Sequence, residues 1–404
     1  MIQERRLRII GVPGDDGACA WFRIKQPLAA LEKAGLAEVF IPPYDNIRRT
    51  RTVHVYPKAR ESDITGDPCL VNNYDIVVLQ RQPGLDALKL IEMSKRAGVF
   101  TVFDIDDGAF SIDPTNPNYM AWGRDKRRIK QMAEGFYRVQ RKQGGPLPPG
   151  LEGKTAEEVA NTAKGHRVGI FNNIRAADMV TVTTQALRDE YSALSNNIKV
   201  LPNQMNLEGW DNLKVTKHPD EVWIGWAGGW SHAKDLRVVT RPMQEIMRRH
   251  AHVKFVIIGF VEAKHLVFKT LPEDRVISIP WNPDITGYRK DLASLDIVLA
   301  PSYPSKFNEG KSDIRCMEAW LCRKPVVGSR TTYGSSIKAS HGGYVARNAK
   351  DWITPLDKLV SSGPLRMAMG EAGEGYVKEN RTYDMNVGLW HDAYTSLLGG
   401  KSNG

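Results

Sequence analysis

Residues 306–329 read KFNEGKSDIRCMEAWLCRKPVVGS, a polar loop, a helical stretch expected over Lys311–Cys322, and an apolar strand opened by Pro325. A passage of this kind belongs to a parallel α/β sheet, where each strand is reached through a covering helix. The expected helix start offers unsatisfied backbone N–H groups and the positive end of the helix dipole, and Lys311 and Ser312 add a charge and a hydroxyl there. Such an end suits a phosphate. Glu318 lies nearly two turns further on, within reach of a ribose whose phosphates rest on the helix start, since one turn rises about 5.4 Å. Plain helix capping is the competing reading. A Walker loop is excluded, because G-x-x-x-x-G-K-S needs glycine where the chain has Ser305.

Working outward, the second half alternates strand-like and helix-like runs. Strands are expected at Val222–Trp226, Val253–Ile258, Val276–Ile279, Asp296–Ala300 and Pro325–Gly328, and helices at Lys234–Arg249, Ile285–Ala293 and Trp352–Val360. The first half alternates in the same way, with strands at Leu7–Val12, Val53–Tyr56, Asp75–Leu79, Val99–Phe103, Met179–Thr183 and Ile198–Leu201. Its helices are expected at Trp21–Ala34, Asp86–Arg96 and Gln185–Ala193. The pattern resets near Pro202 and Asn203. The reading is therefore two successive Rossmann-like, doubly wound domains, 1–203 and 204–375, whose strand ends face one another across a cleft. Residues 376–404 form a C-terminal helix that crosses back to the first domain, then a frayed tail. Residues 113–165 fit the alternation badly and read as a basic helical insertion in the first domain.

A chain of 404 residues predicts two domains or three. With 42% hydrophobic and 25% charged residues it has the composition of an ordinary globular protein, which excludes disordered and collagen-like chains. The most apolar run, Val253–Val261, contains Lys254 and is far shorter than the roughly 20 residues of a spanning helix. No membrane span is expected. The charged start MIQERRLRII lacks the apolar core of a secretory signal, so the expected location is cytoplasmic. Cys19, Cys69, Cys316 and Cys322 are too scattered for a disulfide framework or a structural zinc. The net charge of +10 is concentrated. Arg124, Lys126, Arg127, Arg128, Lys130, Arg138, Arg141 and Lys142 crowd into one helical segment against Asp125 and Glu134. That is the footprint of a polyanionic partner, with a solvated helix face as the plain alternative.

Three further segments carry chemistry. IGWAGGWSHAKDL, residues 224–236, is a strand, a glycine turn and a helix start. There Gly228, Gly229 and His232 are placed to approach a diphosphate, and Lys234 adds a positive charge beside them. A surface capping role for His232 is the alternative. The loop Gly14, Asp15, Asp16, Gly17 follows the first strand. Its aspartates repel phosphate, so Asp16 is expected to face an acceptor or cap the next helix, and Arg23 is the better phosphate ligand. VFDIDDGAF sets Asp104, Asp106 and Asp107 just after a strand, where one orients or deprotonates an acceptor hydroxyl. The D-x-D spacing also suits a divalent metal. Because the nucleotide signature lies in the other half, no metal site is assigned.

The 306–329 segment resembles the donor-nucleotide segment of GT-B glycosyltransferases, particularly the retaining, family-4-like group 1 enzymes. IGWAGGWSHAKDL, VKFVIIG and ASLDIVLAPS resemble further donor-domain strands, and TVTTQALRDEY with IKVLPNQMN resembles the end of the acceptor domain and the linker. The resemblance implies the GT-B fold and a nucleotide-sugar donor, UDP- or GDP-linked, bound by Gly14, Gly17, Gly228, Gly229, Asn308, Gly310, Lys311, Ser312 and Glu318. It implies retention of configuration and no metal or other cofactor. Many members carry two glutamates eight residues apart, and the position eight before Glu318 is Gly310. Glu309 or Lys311 is left to stand in for the missing carboxylate.

The combination of GACAWFRIKQPL after the first strand, the DIDD turn, the H-x-x-D-L of the glycine turn and the FN-x-x-KS of residues 307–312 is similar to phage-encoded glycosyltransferases, some of which glycosylate hydroxymethylated bases in DNA. On that resemblance the acceptor is a 5-hydroxymethylated pyrimidine in double-stranded DNA, gripped through Arg124, Lys126, Arg127, Arg128 and Lys130, with Asp104 and Asp16 on the acceptor side and Asp106, Asp107 and His232 catalytic. Tyr119, Trp122, Phe136 and Tyr137 lie beside the basic segment and stack a base or anchor the helix. The alternatives are a transferase acting on a cell-surface glycan, a lipid-linked sugar or a protein, and a non-catalytic DNA- or nucleotide-sugar-binding protein on the same scaffold.

Overall fold

The structure, a computed structural model, describes residues 6–42, 73–143, 147, 150–211, 213, 215 and 218–399. The chain divides into two compact units: Met1–Gln204 joined by Tyr383–Gly404, and Met205–Thr382.

In the first unit six strands form one parallel sheet: β1 (Leu7–Val12), β2 (Ala37–Phe40), β3 (Ile76–Gln80), β4 (Phe100–Asp104), β5 (Met179–Val182) and β6 (Ile198–Val200), in the order β2-β1-β3-β4-β5-β6. All of β3 and β5 is buried, as the two covered faces of a parallel sheet require. The segment Ala37–Phe40 (AEVF) escapes sequence reading because it is short and exposes Glu38, yet it pairs with β1. The strand expected at Val53–Tyr56 lies outside the described residues. Between β4 and β5 the chain forms helices Lys126–Gln143 and Ala156–Ala176, packed on each other. The second is started by a full capping box of Thr155 and Glu158 and runs almost directly into β5. Helix Tyr383–Gly399 closes the unit. Its Tyr383, Trp390, Tyr394 and Leu397 pack with Ile24, Leu28 and Leu31, and the Tyr383 hydroxyl donates to the Phe22 carbonyl at 3.2 Å.

The second unit has β7 (Val222–Gly228), β8 (Val253–Gly259), β9 (Val276–Pro280), β10 (Ile297–Ala300), β11 (Val326–Ser329) and β12 (Gly343–Ala346), ordered β12-β11-β10-β7-β8-β9. Counted within the unit this is the Rossmann order, whose strand sequence reverses where β7 lies beside β10. Trp226, Phe255, Phe268, Trp352 and Leu356 fill its core. The helix expected at Lys234–Arg249 is broken into Ala233–Leu236, a 3-10 turn at Arg237–Val239, and Thr240–Arg249.

A second correction falls on the segment that opened the reading. The helix expected from Lys311 starts only at Ile314, after a short helix Lys306–Glu309 and a turn through Gly310–Asp313. Asp313 is held by both Nη atoms of Arg381, at 2.7 and 2.9 Å, and by the Ser336 hydroxyl. This buried anchor sets the helix start. Lys311 and Ser312 consequently lie in the turn ahead of the helix, whose N-cap residue Asp313 turns its carboxylate to Arg381 and Ser336 and makes no side-chain cap bond. Among the described residues no helix is long and apolar enough to cross a membrane.

Candidate functional site

In open parallel sheets ligands bind beyond the carboxyl ends of the strands where the order reverses. In the second unit that place is bounded by the ends of β7 and β10. Strand β7 ends at Gly228, where any Cβ would meet the Trp226 ring at 2.5 Å and Arg315 Nη2 at 3.1 Å, so glycine is required there. Nothing lies within 4 Å of a Cβ built on Gly229, which leaves open space over the turn. A Cβ on Gly259 would in turn lie 2.6 Å from the Gly228 carbonyl, and the Gly259 φ of +98° is one that only glycine adopts readily.

Asp235 ties this turn to the loop after β10. One oxygen accepts the Tyr303 backbone N–H and the Asn308 side-chain amide, both at 2.8 Å; the other meets His232 Nδ1 at 2.8 Å. Burial opposes the charge, but the His232 contact and the Tyr303 N–H outweigh it and hold the carboxyl below its ordinary value. The imidazole of His232 is pulled down by burial against the upward effect of Asp235, so it is neutral at neutral pH. With Nδ1–H donating to the carboxylate, Nε2 carries the lone pair and accepts from a hydroxyl. This departs from the expected diphosphate contact: a neutral acceptor nitrogen does not suit a phosphate oxygen. Asn308, expected to touch the donor, spends its amide on Asp235 and on the Tyr303 carbonyl at 2.9 Å. Asp235→Ala strands three donors, of which the Asn308 amide is buried, and is expected to cost about 2 kcal/mol of unfolding free energy, read by urea denaturation.

Glu318 is 8% exposed, and the Tyr288 hydroxyl donates to it at 2.9 Å. Burial raises its carboxyl to about 7, partly offset by Tyr288 and by Arg315 and Arg289. A carboxylate so placed gains from hydroxyl donors, which is what a ribose offers. Lys234 and Lys311 lie over aromatic rings, Nζ 3.9 Å from the Tyr303 centroid and 4.4 Å from that of Phe307. Gly310 is buried at the end of the short helix, beside the half-buried Ser312. Sequence reading missed Asp235, Tyr288 and Arg315. Only Asp235 had a signal, its spacing from His232.

The first unit gathers a second set of groups at its own reversal point, the ends of β1 and β3. A Cβ on Gly14 would strike the Gln80 carbonyl at 2.5 Å, and the Gly14 N–H donates to the Gln80 side chain. Arg81, at a φ of +47°, lies 2.7 Å from Asp15, 3.1 Å from Asp107 and 3.5 Å from Asp106. Its guanidinium is therefore the cation among these carboxylates, and the Trp122 ring centroid lies 5.8 Å from it. Among the described residues no group of three or more His, Cys, Asp or Glu is arranged to hold a metal ion. Gly17 donates its N–H to Asp15, and the exposed Asp16 pairs with Lys25 at 2.7 Å.

Two expected ligands prove internal. Arg23 and Asp104 are each 2% exposed and pair through the Nε–Nη2 edge of the guanidinium, Nη2 at 2.6 Å and Nε at 3.1 Å. Arg23 Nη1 also donates to the Leu201 carbonyl and to Asn203, and Thr181 donates to Asp104. A five-residue π-helical segment, Trp21–Lys25, buries Phe22, Arg23 and Ile24 in succession, which turns Arg23 inward. Neither side chain has surface left for phosphate or acceptor.

On the helix Lys126–Gln143, Ile129 and Ala133 are buried while Lys126, Arg127 and Arg128 are exposed, as is Arg124 just before it. Lys126 and Lys130 both grip Glu157 of the neighbouring helix, Lys130 at 2.6 Å, and hold its carboxyl down to about 2. Arg128 Nε donates to the Pro114 carbonyl at 3.4 Å. Tyr119 is 3% exposed and its hydroxyl accepts from Asp125 N–H, so it packs and does not stack on a ligand. Tyr137 is half-buried and donates to the carbonyls of Leu151 and Lys154, and Phe136 is half-buried beside it.

Residues 221–362 match a protein-family model described as "Glycosyl transferases group 1". The D-inositol 3-phosphate glycosyltransferase of Corynebacterium jeikeium (strain K411) is 29% identical over 233 residues, covering 48% of this chain and 52% of that protein. The lipopolysaccharide core biosynthesis mannosyltransferase LpcC of Rhizobium leguminosarum bv. viciae is 26% identical over 202 residues, 47% of this chain and 55% of that one. The chain thus spans about half the length of these relatives. Among solved structures, sucrose-phosphate synthase from Thermosynechococcus elongatus aligns over 98% of this chain and 100% of its own, with a TM-score of 0.62 at 13% identity. HepE from Anabaena, in complex with UDP, aligns over 97% and 100%, with a TM-score of 0.58 at 12% identity. Two six-stranded parallel sheets with flanking helices, matched along nearly the whole chain by such structures, give this protein the GT-B fold.

Proposed function

We propose that the chain transfers a sugar from a UDP- or GDP-linked donor to an acceptor hydroxyl, with the donor at the Gly228–Glu318 site of the second unit. The observation that carries this reading is the buried Glu318 carboxylate, hydrogen-bonded by Tyr288, in the same unit as an open glycine turn at the sheet's reversal point. The match of residues 221–362 to group 1 glycosyl transferases supports it. In the reaction the bond between the anomeric carbon and the phosphate oxygen breaks and its electron pair leaves with the phosphate. The acceptor oxygen bonds to the same face of that carbon, giving retention, and its proton passes to the departing phosphate. Charge on the diphosphate is met by protein cations, without a metal.

The acceptor we propose is a 5-hydroxymethylated pyrimidine in phage DNA, modified in the cytoplasm of the host. The exposed Arg124, Arg127 and Arg128 favour it, since phosphates are held largely by such side chains. Reversing all three to Glu is expected to abolish DNA binding and flatten its salt dependence; an unchanged slope returns the helix to a solvated face. A glycan or polyol acceptor is the second reading, favoured by the names of the two relatives. The test is nucleoside mass spectrometry on hydroxymethylcytosine, hydroxymethyluracil and unmodified DNA after incubation with a pool of nucleotide sugars. A sugar mass gained on one modified base supports the DNA acceptor. Donor turnover without that gain moves the search to glycans, and no turnover of any donor overturns the transferase reading.

A further inference from the structure

Arg315 was not singled out by the sequence, and the mechanism above does not name it. It is the second residue of helix Ile314–Leu321, half-buried, with its guanidinium 5.4 Å from the Trp226 ring centroid. Nη2 lies 3.1 Å from where a Cβ on Gly228 would be, so the guanidinium borders the end of β7. Nη1 donates to the Tyr333 hydroxyl at 3.0 Å, a neutral partner. Among the described residues no carboxylate forms an ion pair with Arg315. Asp235 and Glu318 feel its charge from a distance, while His232, Tyr288, Tyr333 and Cys316, the other titratable groups near it, carry no negative charge at neutral pH. A guanidinium has five N–H donors and a fixed fork suited to phosphate. Holding one partly desolvated, with a hydroxyl as its hydrogen-bond acceptor, is costly unless an anion completes it.

We propose that Arg315 is the cation that binds the donor's diphosphate and takes up the negative charge of the leaving phosphate, in the place expected of Lys234. Lys234 sits over the Tyr303 ring, whereas Arg315 borders the glycine turn itself. The inference rests on the donor site proposed above. A side chain at Gly228 would crowd the guanidinium as well as the Trp226 ring. Tyr333 orients Arg315 and is a positioning residue.

The test compares wild type, Arg315→Met and Arg315→Lys in titrations with UDP, GDP, uridine and guanosine. Arg315→Met is expected to bind the preferred diphosphate about 10- to 100-fold more weakly, the worth of lost charge-assisted hydrogen bonds, while nucleoside affinity stays within about twofold. Arg315→Lys is expected to fall between them, keeping charge without the fork. Because methionine removes a charge that lacks an ionic partner, the melting temperature of ligand-free Arg315→Met should be no lower than that of wild type. Equal diphosphate affinity in wild type and Arg315→Met, or a parallel loss of nucleoside and diphosphate binding, overturns the assignment and leaves the donor site standing. Failure of wild type to bind any of the four probes overturns the donor site itself. If Arg315→Met does not fold, the assignment fails when Arg315→Lys matches wild type for both diphosphates.

Discussion

Asp104→Ala is expected to destabilise the first unit by about 3–5 kcal/mol, because it leaves the Arg23 guanidinium charged and buried without its partner. Both side chains are 2% exposed, and the pair also fixes Leu201, Asn203 and Thr181. Urea denaturation measures the loss. The double replacement Arg23→Met with Asp104→Leu removes both charges together and is expected to recover most of it. Nucleotide affinity of the folded fraction should be unchanged in either variant. A stability change below about 0.5 kcal/mol accompanied by lost ligand binding would instead make Asp104 and Arg23 ligand groups.

Glu318→Gln is expected to separate stability from binding. The folded carboxyl holds its proton up to about 7, whereas an ordinary glutamate releases it near 4.5. Between those values the folded state binds more protons than the unfolded one, so stability falls as pH rises through the window and is level above it. The gap corresponds to roughly 3 kcal/mol at most. Glutamine has no charge to desolvate and still accepts from Tyr288, so Glu318→Gln should be the more stable protein at pH 8 and gain little at pH 4.5. Donor binding should move the other way. Ribose hydroxyls favour the ionised carboxylate, so wild-type affinity for UDP-glucose or GDP-mannose is expected to rise about tenfold from pH 6 to 8, as the charged fraction does. The diphosphate of these donors does not titrate in that range. In Glu318→Gln affinity should be lower and flat with pH. A pH-independent wild type would remove Glu318 from the ribose.

Strands were legible wherever four consecutive apolar residues lie buried, as in β3, β8 and β10. Of the proposed donor site, Gly228, Gly229 and Glu318 leave local patterns in the sequence, a glycine turn and a carboxylate in a fixed segment. What failed depends on distant partners. Lys311 as a helix start was undone by Arg381, and Arg23 as a phosphate ligand by Asp104, 81 residues further along. Arg315 reads as one more polar helix position until the fold sets it beside Gly228. Asp106 and Asp107 read as acceptor-side carboxylates, and only the fold sets Arg81 beside them and beside Asp15.

The central claim is that residues 205–382 hold a nucleotide sugar. Isothermal titration of the full chain at pH 8 with UDP-glucose and GDP-mannose tests it most directly. One saturable site per chain for one of the two, lost in Glu318→Ala, is the predicted result. No binding of either donor by the folded protein, or binding that Glu318→Ala leaves intact, would contradict it.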